Sequence, residues 1–407
     1  MIGALPSVTP PNWCSLGIGS WSRTHGITCY NNHTLGKDLQ IIEHNWDSRR
    51  VESEFIWEKF SKVGKKSIML NYCEAWPPRF DDENGIYIDG SGVIPFMRCN
   101  LDYQKILTLR DGDFETIEKP HMIKQSNSDC VIEGDQFEKM LKESGAKKVS
   151  QFDPLVENKT KVAYGVRVVN IAEDGSFAEV FISHAINVED TRFMYPAGIG
   201  EKLYEAVGPM LPFCKFGRHR SDCADVLLES IDMLHDWHIN ASRWLMDVAC
   251  PDWDLFYIHL HSIDFYNHWY LNFSLPGSCD NWADNQAAID ACYEINDKYI
   301  GFVLEHMGEN TSVFITSDHG AVPATVGDVN PGIGSLSYIT SGVMAELGYT
   351  VLTKDENGND AVDWTKSKAV YQRSSHVYLN LKGRDPYGIV EGGVIWQALE
   401  GFEEPKF

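Results

Sequence analysis

The strongest constraint on the fold is a strand–helix–strand pattern over residues 255–316. Leu255–Leu260 and Thr311–Thr316 are short apolar runs of the kind that form strands buried on both faces of a sheet. Between them, apolar residues recur on one helical face at Ala288, Ala291, Ile295, Tyr299 and Val303. Because a helical crossover joins parallel strands, the pattern predicts an α/β fold with a largely parallel sheet and helices on both faces.

Upstream segments extend this pattern. Phe55–Phe60 predicts a helix that leads into a strand over Lys66–Tyr72. A second, long helix with one apolar face follows Ser221, whose side chain suits an N-cap, and Pro251 ends it.

Residues 96–214 have a different pattern. The runs Tyr164–Ile171 and Ser176–Ser183 flank Asp174-Gly175, a hairpin signal because glycine accepts the positive φ of a tight turn. We therefore predict a core formed by residues 1–95 and 215–407 and an antiparallel, cap-like insertion over 96–214.

Charge excludes some classes of partner. The chain has 407 residues, of which 43% are hydrophobic, so it can bury a large core. Lys and Arg number 35 and Asp and Glu 58, which gives a formal net charge of −23. This balance, without a basic cluster, argues against a nucleic-acid duplex or a membrane surface as partner. An anionic substrate would need a bound cation to reverse the local field.

Cysteine spacing bears on the cellular compartment. The ten cysteines form no Cys-x-x-Cys pair, which argues against a zinc knuckle or a thioredoxin-like site. The first residues, Met1–Pro6, show neither the basic nor the apolar part of a signal peptide. We therefore expect a cytoplasmic protein with buried free thiols.

Two acidic–histidine clusters follow the predicted core strands. Asp264 and His268 come after the strand at 255–260, and their i, i+4 spacing puts both on one face of a helix. Asp318 and His319 come directly after the strand at 311–316. Ligands of open α/β sheets bind beyond the carboxyl ends of the strands, so these side chains suit a carboxylate–histidine site for zinc, manganese or iron. Taken alone, the first cluster is also typical of a surface ion pair, and the second is also typical of a capped turn.

A hydroxyl near the start of the chain supplies a candidate nucleophile. Thr9 precedes Pro10 and Pro11, which by itself predicts a helix N-cap with proline at the first helical position. That position would also put the Thr9 oxygen beside free amide groups and the positive end of the helix dipole, where a phosphoryl group is favoured.

Four motifs, in order along the chain, resemble the type I phosphodiesterase/nucleotide pyrophosphatase branch of the alkaline phosphatase superfamily. They are Pro6–Asn12, Thr24–Ile27, Asp264-x-x-x-His268 and Ser317–Gly320. The similarity extends from about residue 5 to about residue 392. The resemblance implies an alkaline phosphatase-like three-layer sandwich, with a largely parallel central sheet and an antiparallel insertion.

The resemblance also implies a two-metal phosphoryl-transfer site. Thr9 would be the nucleophile and a metal ligand, and Asn12 would donate to a phosphate oxygen. Asp318 and His319 would hold the metal at Thr9, while Asp264 and His268 would hold the other. Two divalent ions, zinc or alternatively manganese, clamp both apical oxygens of an in-line displacement.

Two departures from the family pattern stand out. Family members carry a ligand Asp on the first core strand, whereas Met1–Val8 contains no acidic residue. The family also places its last histidine ligand towards the C-terminus, and the only histidine after His319 is His376. His376 is therefore either that ligand or an ordinary residue at the start of a strand. We expect a chain truncated at the N-terminus and at the C-terminus.

The sequence therefore predicts a metal-dependent hydrolase that acts on phosphodiesters or nucleotide pyrophosphate bonds of small substrates. One alternative is a phosphomonoesterase of the same superfamily. Another is a non-catalytic metal-binding descendant, which the missing Asp supports.

Overall fold

The structure is a computed structural model. It describes residues 7–32, 36–37, 39, 43–88, 105–110, 131–133, 161–163, 166–171, 177–182, 186–187, 191–208, 210, 224–323, 338–358, 360–372 and 376–392. The chain divides into two compact units. Unit 1 comprises Met1–Ser53, Asp318–Gly320 and Ala324–Phe407, and unit 2 comprises Glu54–Ser317 and Ala321–Pro323.

Helices and strands are numbered along the whole chain. Those of unit 1 are α1 (Thr9–Ile18), α2 (Ser22–His25), β1 (Asn31–Asn32), β2 (Glu43–His44), α8 (Tyr338–Glu346), β13 (Leu352–Lys354), β14 (Asp360–Val362), β15 (Ala369–Gln372) and β16 (His376–Leu379). Those of unit 2 are α3 (Ile56–Lys62), β3 (Ser67–Leu70), β4 (Gly85–Ile88), β5 (Lys105–Arg110), β6 (Val131–Glu133), β7 (Lys161–Ala163), β8 (Val166–Ile171), β9 (Phe177–Ile182), β10 (Ile186–Asn187), β11 (Met194–Tyr195), α4 (Ile199–Val207), α5 (Ala224–Trp244), β12 (Leu255–Ile258), α6 (Ser262–Tyr270) and α7 (Trp282–His306).

Unit 2 contains the central sheet, in the order β11-β4-β3-β12. Strands β4, β3 and β12 run parallel, and β11 joins β4 antiparallel. The predictions of an α/β fold and of strands at 66–72 and 255–260 are therefore confirmed. The sheet is mixed but mostly parallel, because connections through helices and long loops return the chain in the same direction.

Apolar side chains cover both faces of this sheet. Ile68 and Leu70 of β3 point into a core shared with α5 and α7, where Leu227 and Ile231 are fully buried. On the other face, Trp57 of α3 lies edge-on to Tyr72 and Tyr257, with ring centroids 5.5 and 5.6 Å away. Because residues alternate between the faces of a strand, β3 contributes to both cores and is completely buried.

The two long helices appear where the sequence predicted them. Helix α5 continues into one π-helical turn over Leu245–Ala249 and ends before Pro251. The predicted N-cap Ser221 lies outside the described residues. In α7 the most buried residues are Ile289, Cys292, Asn296 and Tyr299, so the buried face is centred one residue away from the predicted one. The Ser242 and Tyr299 hydroxyls, 2.7 Å apart, join α5 to α7.

The predicted strand Thr311–Thr316 was wrong. This segment has no strand pairing among the described residues, and Phe314 and Ile315 are 84% and 67% exposed. A strand requires a neighbour that completes its hydrogen bonds, and apolar composition alone does not supply one.

The segment from 105 to 187 is antiparallel where it is described. Its strands form two sheets, β5-β9-β8 and β10-β7-β6, in which every pair is antiparallel. Strands β8 and β9 pair as the hairpin signal predicted, although Asp174 and Gly175 lie outside the described residues.

In its described residues, unit 1 combines helices with three two-stranded antiparallel ladders. These pair β1 with β2, β13 with β14 and β15 with β16. In the described part of both units, no helix has the length and apolar character that a membrane crossing requires. Six described cysteines carry free thiols: Cys14, Cys29, Cys73, Cys250, Cys279 and Cys292. All except Cys279 are buried.

Candidate active site

Thr9 is the first residue of α1, and its hydroxyl faces two other side chains of unit 1. The preceding Val8 takes the N-cap position with an extended backbone, φ −132° and ψ 159°. The predicted N-cap role of Thr9 was therefore wrong by one residue. The Thr9 Oγ1 atom is 3.0 Å from the Tyr30 hydroxyl and 3.4 Å from Nε2 of His319. Thr9 is buried, so few water molecules compete for these contacts.

The start of α1 offers an anion fewer backbone N–H donors than we predicted from the sequence. Pro10 and Pro11 occupy the first turn, and proline has no N–H. The Asn12 side chain is buried, and its Nδ2 donates to the Val8 carbonyl at 2.8 Å. An amide has two N–H donors, so this bond uses one of them. Attraction of an anion here would therefore depend on the helix dipole and on side chains more than on backbone amides.

His319 is held in one tautomer by the backbone. Its Nδ1 donates to the Gly320 carbonyl at 3.0 Å, which leaves the lone pair on Nε2. That Nε2 lies 3.3 Å from Asp318 Oδ2 as well as 3.4 Å from Thr9 Oγ1. We call Thr9, Tyr30, Asp318 and His319 the threonine cluster.

Tyr30 is the member of this cluster that the sequence did not reveal. It lies 21 residues after Thr9, a spacing that corresponds to no helix or strand period. Only the packing of the loop after α2 brings it to the hydroxyl. Its ring also lies edge-on to Trp46, with centroids 5.7 Å apart.

His25 stabilises the loop behind α1. Its Nδ1 accepts the Ile27 N–H at 3.2 Å, so its Nε2 carries the proton and donates to Ser15 Oγ at 3.1 Å. Burial lowers its pKa to about 4, and the ring is neutral at neutral pH. The following Gly26 has φ 81°, a conformation that glycine adopts without strain. This geometry gives His25 a structural role in the loop after α1.

His376 also has a backbone partner in unit 1. It is half-buried at the start of β16, and its Nε2 donates to the Thr28 carbonyl at 2.9 Å. In this arrangement Nε2 has no lone pair for a metal ion. A ligand role for His376 stays a prediction, and it would need the Nδ1 atom or a different ring orientation.

In unit 2, Asp264 lies between two histidines. The segment after β12 forms α6, with Asp264 in its first turn and His261 at its N-cap position. Oδ2 of Asp264 lies 3.4 Å from Nε2 of His268 and 3.5 Å from Nε2 of His261. The Asp264 carboxylate raises the pKa of His268. We call His261, Asp264 and His268 the helix cluster.

Buried polar side chains hold the start of α6. Ser262 Oγ lies 2.9 Å from His235 Nε2 and bonds to the Asn296 amide. Burial lowers the pKa of His235 to about 4. His259 lies with Nδ1 3.3 Å from the Cys73 thiol, so it is a hydrogen-bonded core histidine. These contacts fix the residues that precede Asp264.

The donor atoms of both clusters have the separations of metal ligands. Two ligands about 2.0–2.2 Å from one tetrahedral ion lie roughly 3.3–3.6 Å apart. The N···O separations in the clusters are 3.3–3.5 Å. By contrast, the ordinary hydrogen-bonded pair His306–Asp247 is 2.9 Å apart. Across the described ranges, no three His, Cys, Asp or Glu side chains already surround a common point. The paired side chains are of the types that bind zinc or manganese, but the described residues do not form an assembled metal site.

The mostly parallel central sheet with added antiparallel strands is consistent with an alkaline phosphatase-like fold. Residues 188–387 match the protein family described as Type I phosphodiesterase / nucleotide pyrophosphatase. This match supports membership of that family and the hydrolysis of phosphoric ester bonds. No curated protein and no solved structure matches the chain.

The matched segment includes one cluster completely and the other in part. It contains the whole helix cluster, together with Asp318, His319 and His376. It does not contain Thr9 or Asn12. Enzymes of this family generally depend on metal ions and act on small phosphodiester or nucleotide substrates.

Proposed function

We propose that the chain hydrolyses phosphodiester or nucleotide pyrophosphate bonds of small substrates, with Thr9 as the nucleophile and two divalent cations as cofactors. One observation carries the proposal: the buried Thr9 Oγ1 lies within 3.4 Å of His319 Nε2 and within 3.0 Å of the Tyr30 hydroxyl. An alcohol is a weak nucleophile unless neighbouring groups activate and orient it. The threonine cluster supplies such neighbours.

Thr9, Asp318 and His319 would hold one cation, and Asp264 and His268 would hold the other. Zinc suits these nitrogen and oxygen donors, and manganese is the alternative. Bound there, divalent cations supply Lewis-acid chemistry, which lowers the pKa of a hydroxyl group and neutralises charge on the phosphoryl group.

The remaining side chains orient the reacting groups. The Tyr30 hydroxyl, 3.0 Å from Thr9 Oγ1, would orient the Thr9 hydroxyl. The Gly320 carbonyl holds the His319 ring through Nδ1, a role typical of residues behind a metal-ligating histidine. Asn12, in the same turn of α1 as Thr9, would donate an amide N–H to a non-bridging phosphoryl oxygen.

The test is the hydrolysis of bis-p-nitrophenyl phosphate and of a nucleoside p-nitrophenyl phosphate, with zinc or manganese added. Thr9→Ala should lower kcat at least about a thousandfold, since it removes the nucleophile. Thr365→Ala is the matched control, because it removes an exposed hydroxyl that bonds to Asp363 in the same unit. Unchanged hydrolysis by Thr9→Ala would overturn the proposal.

The family match does not extend to Thr9, and two alternatives therefore accompany the test. A phosphomonoesterase would hydrolyse p-nitrophenyl phosphate faster than the diesters. A non-catalytic metal-binding descendant would hydrolyse none of the three substrates and would still bind the cation.

A further inference from the structure

We propose that Trp46 is a specificity-determining residue, on which the base of a nucleotide substrate stacks while the phosphoryl group lies at Thr9. This inference rests on the proposed function for the place of the phosphoryl group. It goes beyond that function because it commits to substrates that carry an aromatic base and names the side chain that recognises the base.

The first support is the position of Trp46, which is one aromatic ring away from the candidate nucleophile. Its ring lies edge-on to the ring of Tyr30, with centroids 5.7 Å apart. The Tyr30 hydroxyl in turn lies 3.0 Å from Thr9 Oγ1. All three residues belong to unit 1. A substituent of a phosphoryl group at Thr9 that extends along Tyr30 therefore meets the Trp46 ring.

The second support is the surface that the Trp46 ring keeps for a further aromatic group. Rings in an edge-on pair are not stacked on each other, and Trp46 is only half-buried. Every nucleobase has two flat π faces and can stack on a tryptophan. The base is uncharged, so its contact with Trp46 is not opposed by the net charge of −23, which repels the phosphate.

The third support is the backbone, which is fixed on both sides of Trp46. Before it, the buried Asn45 donates its backbone N–H to the Tyr30 carbonyl at 2.9 Å. After it, Oδ1 of Asp47 accepts the Arg49 N–H at 2.9 Å and caps a 3₁₀ turn. A side chain on a fixed backbone loses less conformational entropy when a ligand binds to it. Trp46 is thus oriented before the substrate arrives.

Trp21 is the competing candidate, because it is 59% exposed. It follows α1, whose ten residues span about 15 Å. Thr9 is at the start of this helix, so Trp21 lies beyond the opposite end. The phosphate and the base of one nucleotide are closer together than the length of α1. A base attached to a phosphoryl group at Thr9 therefore reaches Trp46 and not Trp21.

The experiment is a calorimetric titration of the full chain with adenosine 5′-monophosphate and, separately, with ribose 5-phosphate, which lacks the base. Zinc is present in every titration. The parent chain should bind adenosine 5′-monophosphate at least about tenfold more tightly than ribose 5-phosphate, because of base stacking. Trp46→Leu should remove this preference. Trp46→Phe keeps an aromatic ring and should keep most of the preference.

Trp364→Leu is the matched control and should keep the full preference, because Trp364 is another half-buried tryptophan of unit 1. Circular dichroism without ligand shows whether each variant folds, and Trp46→Met replaces Trp46→Leu if the latter does not. The inference is overturned if the parent chain binds both ligands equally tightly or binds neither. It is also overturned if the folded Trp46 variant without a ring keeps the preference, or if Trp21→Leu removes it.

Hydrolysis gives a second readout. For thymidine 5′-p-nitrophenyl phosphate, Trp46→Leu should raise KM about tenfold and change kcat less, because stacking binds the substrate and the transition state alike. The titrations, by contrast, measure binding without turnover. Failure of the nucleophile assignment appears as unchanged hydrolysis by Thr9→Ala, and failure of this inference appears as an unchanged preference in the Trp46 variant. The two results are therefore distinguishable.

Discussion

Thr9 Oγ1 lies 3.4 Å from Nε2 of His319, although 310 residues separate them along the chain. Both belong to unit 1, because Asp318–Gly320 groups with the N-terminal residues and not with the α7 segment that precedes it. A hydroxyl at the start of a helix thus lies beside an imidazole that the carbonyl of the next residue orients.

The Tyr30 hydroxyl is expected to orient this pair. Tyr30→Phe removes a single oxygen 3.0 Å from Thr9 Oγ1 and keeps the ring beside Trp46. Loss of one hydrogen bond of about 1–1.5 kcal/mol should lower kcat about tenfold and leave KM almost unchanged. Steady-state kinetics on the diester substrate checks this, with the exposed Tyr349→Phe as control. An equal rise in KM would show that Tyr30 binds substrate instead.

Thr9 and His319 should act as a unit. If His319 serves the reaction through Thr9, the double variant Thr9→Ala/His319→Ala should be about as slow as Thr9→Ala alone. A double-mutant cycle on kcat measures the interaction. Additive losses would mean that His319 acts on a different step.

The sequence predicted the positions of helices and strands in unit 2 better than it predicted what each of them packs or pairs with. Periodicity located α5, α7, β3 and β12, since a buried face must be apolar at the period of its element. Thr311–Thr316, like β12, is rich in residues that favour strands, but it has no ladder in the described residues, because a strand also depends on its neighbour. In α7 the polar Asn296 is buried by its bonds to Ser262 and to the Cys292 carbonyl, which hydrophobicity alone does not indicate.

The candidate site likewise has residues whose pairing the sequence predicted and residues whose pairing it did not. Asp264 and His268 could be paired from their spacing, because four residues make one helical turn. Tyr30 reaches Thr9 through a loop, and His261 turns towards Asp264 at the point where β12 gives way to α6. Such contacts depend on tertiary packing and on backbone direction at element ends, for which the sequence has no periodic signal.

A buried ion pair in unit 2 should be important for stability. Arg79 Nε donates to Glu58 Oε1 at 2.6 Å, and Glu58 also accepts the Phe55 N–H at the start of α3. Arg79→Leu would leave a buried carboxylate without its guanidinium and should lower the free energy of unfolding by about 3 kcal/mol. Lys66→Ala breaks an exposed pair with Asp252, which solvent screens, and should lower the free energy of unfolding far less. Urea denaturation of both variants makes the comparison, and equal losses would contradict it.

His25 should make unit 1 sensitive to acid. Burial lowers its pKa from 6.5 to about 4 in the folded state, so below pH 6.5 the unfolded chain binds a proton that the folded chain does not. The stabilisation is complete above pH 6.5 and is lost as the pH falls from 6.5 towards 4. Each such proton contributes a slope of about 1.4 kcal/mol per pH unit.

His25→Gln should therefore unfold more easily at pH 7, since a fitted ring and its bonds to Ser15 and Ile27 are lost. Between pH 6.5 and 4.5, its free energy of unfolding should also fall less steeply with decreasing pH than that of the parent chain. The difference in slope should correspond to the uptake of up to one proton on unfolding. Denaturant titrations over this range measure the slope. His306→Gln is the control, because His306 is paired with Asp247 near the surface. If His25→Gln keeps the slope of the parent chain, the acid response comes from other buried histidines, of which His235 and His238 in unit 2 also have lowered pKa values.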